Sequence, residues 1–339
     1  MSAGLKELDQ VVVSDEDSVW YSRMKEGAQC ECMGKGNYFG IEKAREKLGF
    51  DIVKEPLHRK GWHDSDFAEE VEGNFCLVRT DHDVVVVPHV GSRFEVTSHS
   101  QLLEHIERFI MPEFSDLVYD SVGTLNNGAT GFVSLRLGTF GIKGDDSPTV
   151  SNLFAYNPLG EGSFKFCGNN VRVVCQNTSN FALREGRGNG SLHHVRHTKN
   201  SGQRITEALV NIAEAKMGMQ RMTETLDELS HVDVDTAYVD QYLQAMFPMT
   251  EPKTIVKTEN QYAKHCAVLD LFENDDSMNQ SIRRSKYSLY QATTNYVDHG
   301  ADGDYGAKEV FDGITGGRAA QKDKALAYLC DNVTMEAIA

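Results

Sequence analysis

Apolar positions along the chain follow two different periods, and the switch between them outlines the fold. Tyr38 to Leu48, YFGIEKAREKL, has the spacing of a short amphipathic helix, with Gly49 as its terminator. From Asn74 the period falls to two. FCLVR, DVVVVPHVG, the alternation VYDSV, GFVSLRLG and TVSNLFAY are separated by Gly, Asn and Asp, which predicts successive strands joined by turns. One helix interrupts them: SHSQLLEHIERFI opens on Ser98 or Ser100 as a cap and aligns Leu102, Leu103, Ile106, Phe109 and Ile110 on one face.

Beyond these strands, SFKFCGNNVRVVC suggests a hairpin turn at CGNNV and then a helix. Val171, Val174, Cys175, Thr178, Phe181 and Ala182 fall on one side at 100° per residue, and Arg172, Gln176, Asn177, Ser179, Asn180 and Arg184 on the other. That register exposes Arg172 and turns Cys175 to the core. A strand turning into a helix near Cys175 is the alternative. Gln203 to Leu229 is the strongest helical pattern, and its Met219 and Met222 read as core rather than as a docking groove. Gln261 to Cys330 is helical in two or three pieces, broken at DHGADGDYG. The fold expected is α+β: an antiparallel or mixed sheet with packed helices and a helical C-terminal part. Its segments are an N-terminal helix and strand region over 1–72, an α+β core over 73–260 and a helical region over 261–339.

Charge changes this picture. The 339 residues carry a formal net charge of -16 at pH 7. Yet Lys165 to Arg204 holds seven basic residues against one acid, Glu185, a local charge of +6 that leaves -22 for the remainder. A polyanion would have to dock on that island while the rest of the surface repels it. The acidic run Glu224, Asp227, Glu228, Asp233, Asp235 and Asp240 reads as a solvated face, or as a partner for a basic patch on a neighbouring copy. Seven scattered cysteines point to reduced thiols, and no apolar run of spanning length occurs, so a cytoplasmic protein without membrane contact is expected.

The island supplies the candidate chemistry. Lys165, Arg172, Arg184, Arg187, Arg196, Lys199 and Arg204 suit phosphate oxygens, and Gln176, Asn177 and Asn180 add neutral donors. His194 and His197 read as hydrogen-bonding partners for phosphate or backbone, and Phe164 and Phe166 as stacking platforms or buried residues. Metal and catalytic motifs are incomplete. His193 and His197 lack the acid of H-E-x-x-H, Asp298 to Glu309 has Gly300 where a calcium loop needs an oxygen ligand, and GITGGRA lacks the G-K-[ST] of a P-loop. No catalytic residue, metal or cofactor is therefore assigned. The island by itself points to binding of a phosphate-bearing anion. A metal-dependent hydrolase or nuclease using these histidines, and an inhibitor of a host defence protein acting through its acidic surface, are the alternatives.

VRVVCQNTSNFAL followed by VRHT also resembles the uncharacterised phage/plasmid-like protein family, domain of unknown function nine-three-two, with its R-V-V-C-x-N-T-x-x-x-A-L stretch and later R-H-T element. Arg172, Val173, Val174, Cys175, Asn177, Thr178, Arg196, His197, Thr198 and His299 are the matching residues. GIEKAREKLGFDIVKEPL, GSRFEVTSHSQLLEHIE and SLYQATTNYVDH are similar to other parts of it, whereas its N-terminal Trp-His-Gly-Leu-Gly segment is not recognisable, with Trp20 or the Trp62-His63 pair as candidate displaced remnants. The resemblance implies a protein of phages and mobile elements, in a bacterial host, with no established chemistry. A sheet followed by a basic, amide-bearing helix is also similar to phage single-strand annealing proteins, which implies binding of single-stranded nucleic acid, DNA or RNA, by a homo-oligomer, and strand annealing in replication or recombination.

Overall fold

The computed structural model describes residues 8–14, 18, 29–35, 37–60, 68–113, 117–160, 163–172, 177–181, 192–199, 203, 213–248, 255–300, 314 and 316–331. They form two units that interleave along the chain, 1–137, 153–167 and 192–214 in the first, 138–152, 168–191 and 215–339 in the second. The fold is α+β, with a helical C-terminal part, as the change of period predicts.

Eight strands make the larger sheet, in the order β10 (Asn177–Phe181), β9 (Ser163–Arg172), β8 (Thr149–Pro158), β7 (Thr130–Phe140), β6 (Val118–Leu125), β1 (Leu8–Val13) and β2 (Gln29–Cys32), with β11 (Leu192–Arg196) also on β9. It is mixed: β1 runs parallel to β2 and antiparallel to β6. A smaller antiparallel sheet orders β3 (Ile52–Lys60), β4 (Ala68–Arg79) and β5 (Val84–Gly91). Turn chemistry fixes the β6–β7 hairpin. Asn126, Asn127 and Gly128 all take positive φ, a conformation that Asn and Gly tolerate and branched residues resist.

In the first unit, helix α1 (Ile41–Leu48) buries Ala44 and Leu48, and α2 (His99–Phe109) buries Leu102, Leu103 and Ile106, with Ile110 just beyond it. The α2 start is the one its sequence predicts. Ser98 accepts from the Gln101 N–H while the Gln101 side chain accepts from the Ser98 N–H, a reciprocal cap. Ile52, Leu77, Val87, Val90, Ala129 and Leu159 close the core against the small sheet.

The second unit holds α3 (Ala213–Ser230), α4 (Thr236–Met246), α5 (Ile255–Asn274), α6 (Lys286–His299) and α7 (Gly317–Asp331). Met222, Leu226 and Leu229 of α3 are buried, so its methionine face is core. Residues 286–294 of α6 are buried on all sides, which makes α6 the central helix of the unit, packed on α5, α7 and β10. Asp235 of the acidic run caps α4 by accepting from the Tyr238 N–H, and Asp227 accepts from the Lys143 N–H. Among the described residues no helix is long and apolar enough to cross a membrane.

One predicted element is overturned. There is no hairpin at CGNNV and no helix beginning at Val171: β9 runs straight through to Arg172, and β10 returns antiparallel, Asn177 opposite Arg172 and Phe181 opposite Gly168. Residues 166–172 are buried without a break, so both faces of this strand are covered. A strand buried on both faces loses its alternation, and apolar positions then match a helical period by coincidence. Cys175 lies outside the described residues.

Candidate nucleic-acid interface

After β10 the chain comes back to β9 a second time. β10 occupies the Gly168–Arg172 half of one edge, and β11 the Ser163–Cys167 half. Opposite residues in an antiparallel pair share a face. Lys165 stands opposite His194 and Ser163 opposite Arg196, while Phe164 stands opposite Val195. Phe164, Phe166 and Val195 are buried, and His194 and Arg196 are exposed. The half-buried Lys165 lies over the Tyr156 ring, Nζ 5.0 Å from its centroid, a partly desolvated cation–π contact. Thr198 N–H donates to the Arg196 carbonyl at 2.9 Å, and Lys199 follows exposed. One face of a strand pair and the turn beyond it thus present Lys165, His194, Arg196 and Lys199. The Arg196 guanidinium can grip two phosphate oxygens at once, and the lysines add point charges.

Arg172 does not belong to this face, contrary to its predicted exposure. It is 2% exposed and holds Asp145 through Nε to Oδ2 and Nη2 to Oδ1, both at 2.8 Å. Its remaining N–H groups donate to the Ser277 Oγ at 3.0 Å and carbonyl at 2.8 Å, and Tyr287 donates to Asp145 at 2.6 Å. Burial alone would raise the Asp145 carboxyl. Hydrogen bonds from Arg172, Tyr287 and the Ser147 N–H outweigh it and hold the group below the usual carboxylate range. Every part of the guanidinium fork is engaged inside the second unit, so Arg172 is a structural clamp.

Of the two readings of Phe164 and Phe166 the buried one holds, since Phe164 is fully buried and Phe166 2% exposed and neither is an open stacking platform. Two other expectations change. His197 is 3% exposed and cannot meet a phosphate from where it sits. Asn177 and Asn180 lie on a strand, opposite Arg172 and Asn169, rather than on a helix. Gln176, Arg184, Arg187 and Arg204 lie outside the described residues.

Sequence patterning missed two buried clusters beside this face. His99 is fully buried. Its Nε2–H donates to the Gly128 carbonyl at 2.8 Å and its Nδ1 accepts from the Asn157 amide at 3.0 Å, which fixes a neutral tautomer. Desolvation, aided by the Arg79 charge, lowers its pKa to about 4. Gly131 makes room for the ring, because a Cβ there would lie 2.6 Å from His99 Cγ. His197 sits between Phe94 and Phe164, with centroids 5.1 and 4.6 Å away, and neither ring nitrogen has a hydrogen-bond partner. Desolvation, with His99 adding to it, lowers its pKa to about 4; the Pro158 carbonyl approaches without hydrogen-bonding geometry and offsets part of the shift. Neither cluster has a local sequence signal, because each ring meets partners from distant segments, His99 with Gly128 and Asn157, and His197 with Phe94 and Phe164.

Elsewhere Asp120 pairs with Arg136 at 2.8 Å in the first unit, and Asp298 with the buried Lys322 at 2.7 Å in the second. The latter pair commits the first acid of the calcium-like segment to a lysine. Among the described residues no three His, Cys, Asp or Glu side chains are grouped to hold a metal ion.

Taken together, these features define an α+β protein with a cationic strand face on a mixed sheet and a helical C-terminal part. Residues 86–328 match the family model described as Domain of unknown function (DUF932), and the chain belongs to that family. No curated protein and no solved structure matches the chain.

Proposed function

We propose that the protein binds single-stranded nucleic acid, and that it serves the replication or recombination of a phage or mobile element. The observation that carries this reading is the β9–β11 face, where Lys165, Arg196 and Lys199 stand together with His194 in a chain of net charge -16. An extended strand rises about 3.3 Å per residue, so five residues of β11 span only two or three nucleotides. A continuous track along a single strand then requires several copies side by side, which supports a homo-oligomer able to anneal strands. The test is electrophoretic mobility of labelled single- and double-stranded oligonucleotides with wild type and with Arg196→Ala/Lys199→Ala. Loss of the single-strand complex in a variant that melts like wild type supports the reading, and unchanged binding overturns it.

A further inference from the structure

His197 follows Arg196 directly and leaves the cationic face for the interior. Its imidazole packs against Phe94 and Phe164 at 3% exposure, and neither nitrogen makes a hydrogen bond of normal geometry, the Pro158 carbonyl being the one polar group that acts on the ring. Its carbonyl accepts from the Glu95 N–H at a long 3.5 Å. His99 offers the contrast: equally buried, it has both nitrogens satisfied by Gly128 and Asn157. A buried heteroaromatic ring with unmet polar atoms forfeits hydration without compensation, so its removal to solvent is favoured in a way that removal of His99 is not.

We infer that the Phe94–Phe164 slot is a nucleobase-stacking site that His197 occupies in the free protein, and that a pyrimidine of a bound single strand displaces the imidazole. This rests on the single-strand reading above and deepens it. A pyrimidine has the same shape class as the ring already in the slot, a planar heterocycle with two π-faces, and base–aromatic stacking tolerates any sequence. Arg196 and Lys199 flank His197 in the chain and are exposed, and Arg196 lies on the face of β11 opposite to Phe164, so a strand whose phosphates they hold brings a base to the slot by passing the end of β11. Displacement returns the His197 nitrogens to water and gives Phe94 and Phe164 a ring in exchange.

Fluorescence anisotropy of the full chain with a labelled oligo-dT and with an abasic strand of equal length separates stacking from phosphate contact. His197→Ala empties the slot and should widen the preference for dT by about fivefold or more. His197→Phe fills the slot with a ring that has no unmet nitrogens and should erase that preference, an opposite change that general damage would not produce. A dT preference equal in wild type and both variants overturns the slot while leaving the cationic face standing. Wild type that binds neither strand removes the parent reading and the slot with it. If His197→Ala does not fold, an unchanged dT preference in His197→Phe is enough to overturn the inference.

Discussion

Arg172 shows what one residue's surroundings do to its role. Its guanidinium faces a buried carboxylate, a hydroxyl and a carbonyl, so truncation leaves Asp145 in the interior without its charge partner, with only the Tyr287 hydroxyl and the Ser147 N–H still donating to it. Arg172→Ala should therefore cost about 3–5 kcal/mol, read as a lowered denaturant midpoint, whereas Arg196→Ala should change stability by less than about 0.5 kcal/mol. The chemistry of Arg172 was legible in the sequence, but its burial was not, because a single chain of letters does not say which carboxylate will lie opposite. Histidine makes the same point through pH. His99 and His197 have folded pKa values of about 4, below their ordinary value of 6.5, so the native state holds them neutral. Their contribution is present above pH 6.5 and is lost as pH falls from there toward 4, where the unfolded chain takes up protons that the native chain refuses. Each should remove about 3 kcal/mol over that window. Urea melts at pH 7 and pH 4.5 measure the loss, and His197→Phe should cancel one of the two shares.

At the scale of elements, legibility followed exposure. Helix α2 was readable because one face meets water: its apolar residues are spaced around a half-buried cylinder, and Ser98 with Gln101 marks the start. Ser98→Ala should lower stability by about 1 kcal/mol, measured in thermal or urea melts, by leaving the Gln101 N–H of the first turn without its acceptor. Strand β9 lacks a legible pattern for the opposite reason. Both faces are covered from Phe166 to Arg172, and Gly168, Asn169 and Asn170, residues that elsewhere make turns, run through the sheet interior. The candidate site differs with the element. A helix would have put Arg172 and Arg184 on one exposed ridge, whereas the observed strand pairing keeps Lys165, His194 and Arg196 together on β9 and β11 and takes Arg172 inside.

For the whole molecule, the deciding quantity is how far its charges reach. The cationic face works inside a chain whose residues outside 165–204 sum to -22, and that excess acts on an approaching polyanion at long range. The Debye length is about 10 Å at 0.1 M salt and about 30 Å at 0.01 M, so the remote acids are silenced near physiological ionic strength and fully felt in dilute buffer. Close contacts are screened far less. Above about 0.1 M, counterion release should make log K fall with log salt at a slope near -2 for the three described cations, and Arg196→Ala should flatten it by about 0.7. Below about 0.05 M the curve should stop rising and bend over, because repulsion from the acidic surface then reaches the strand. A basic nucleic-acid protein would show no such maximum. Titrating a labelled oligo-dT from 0.01 to 0.4 M salt tests both limbs. A line that keeps climbing toward low salt would show that the acidic excess does not reach the bound strand, and a slope near zero at high salt would show that Lys165, Arg196 and Lys199 do not carry the binding.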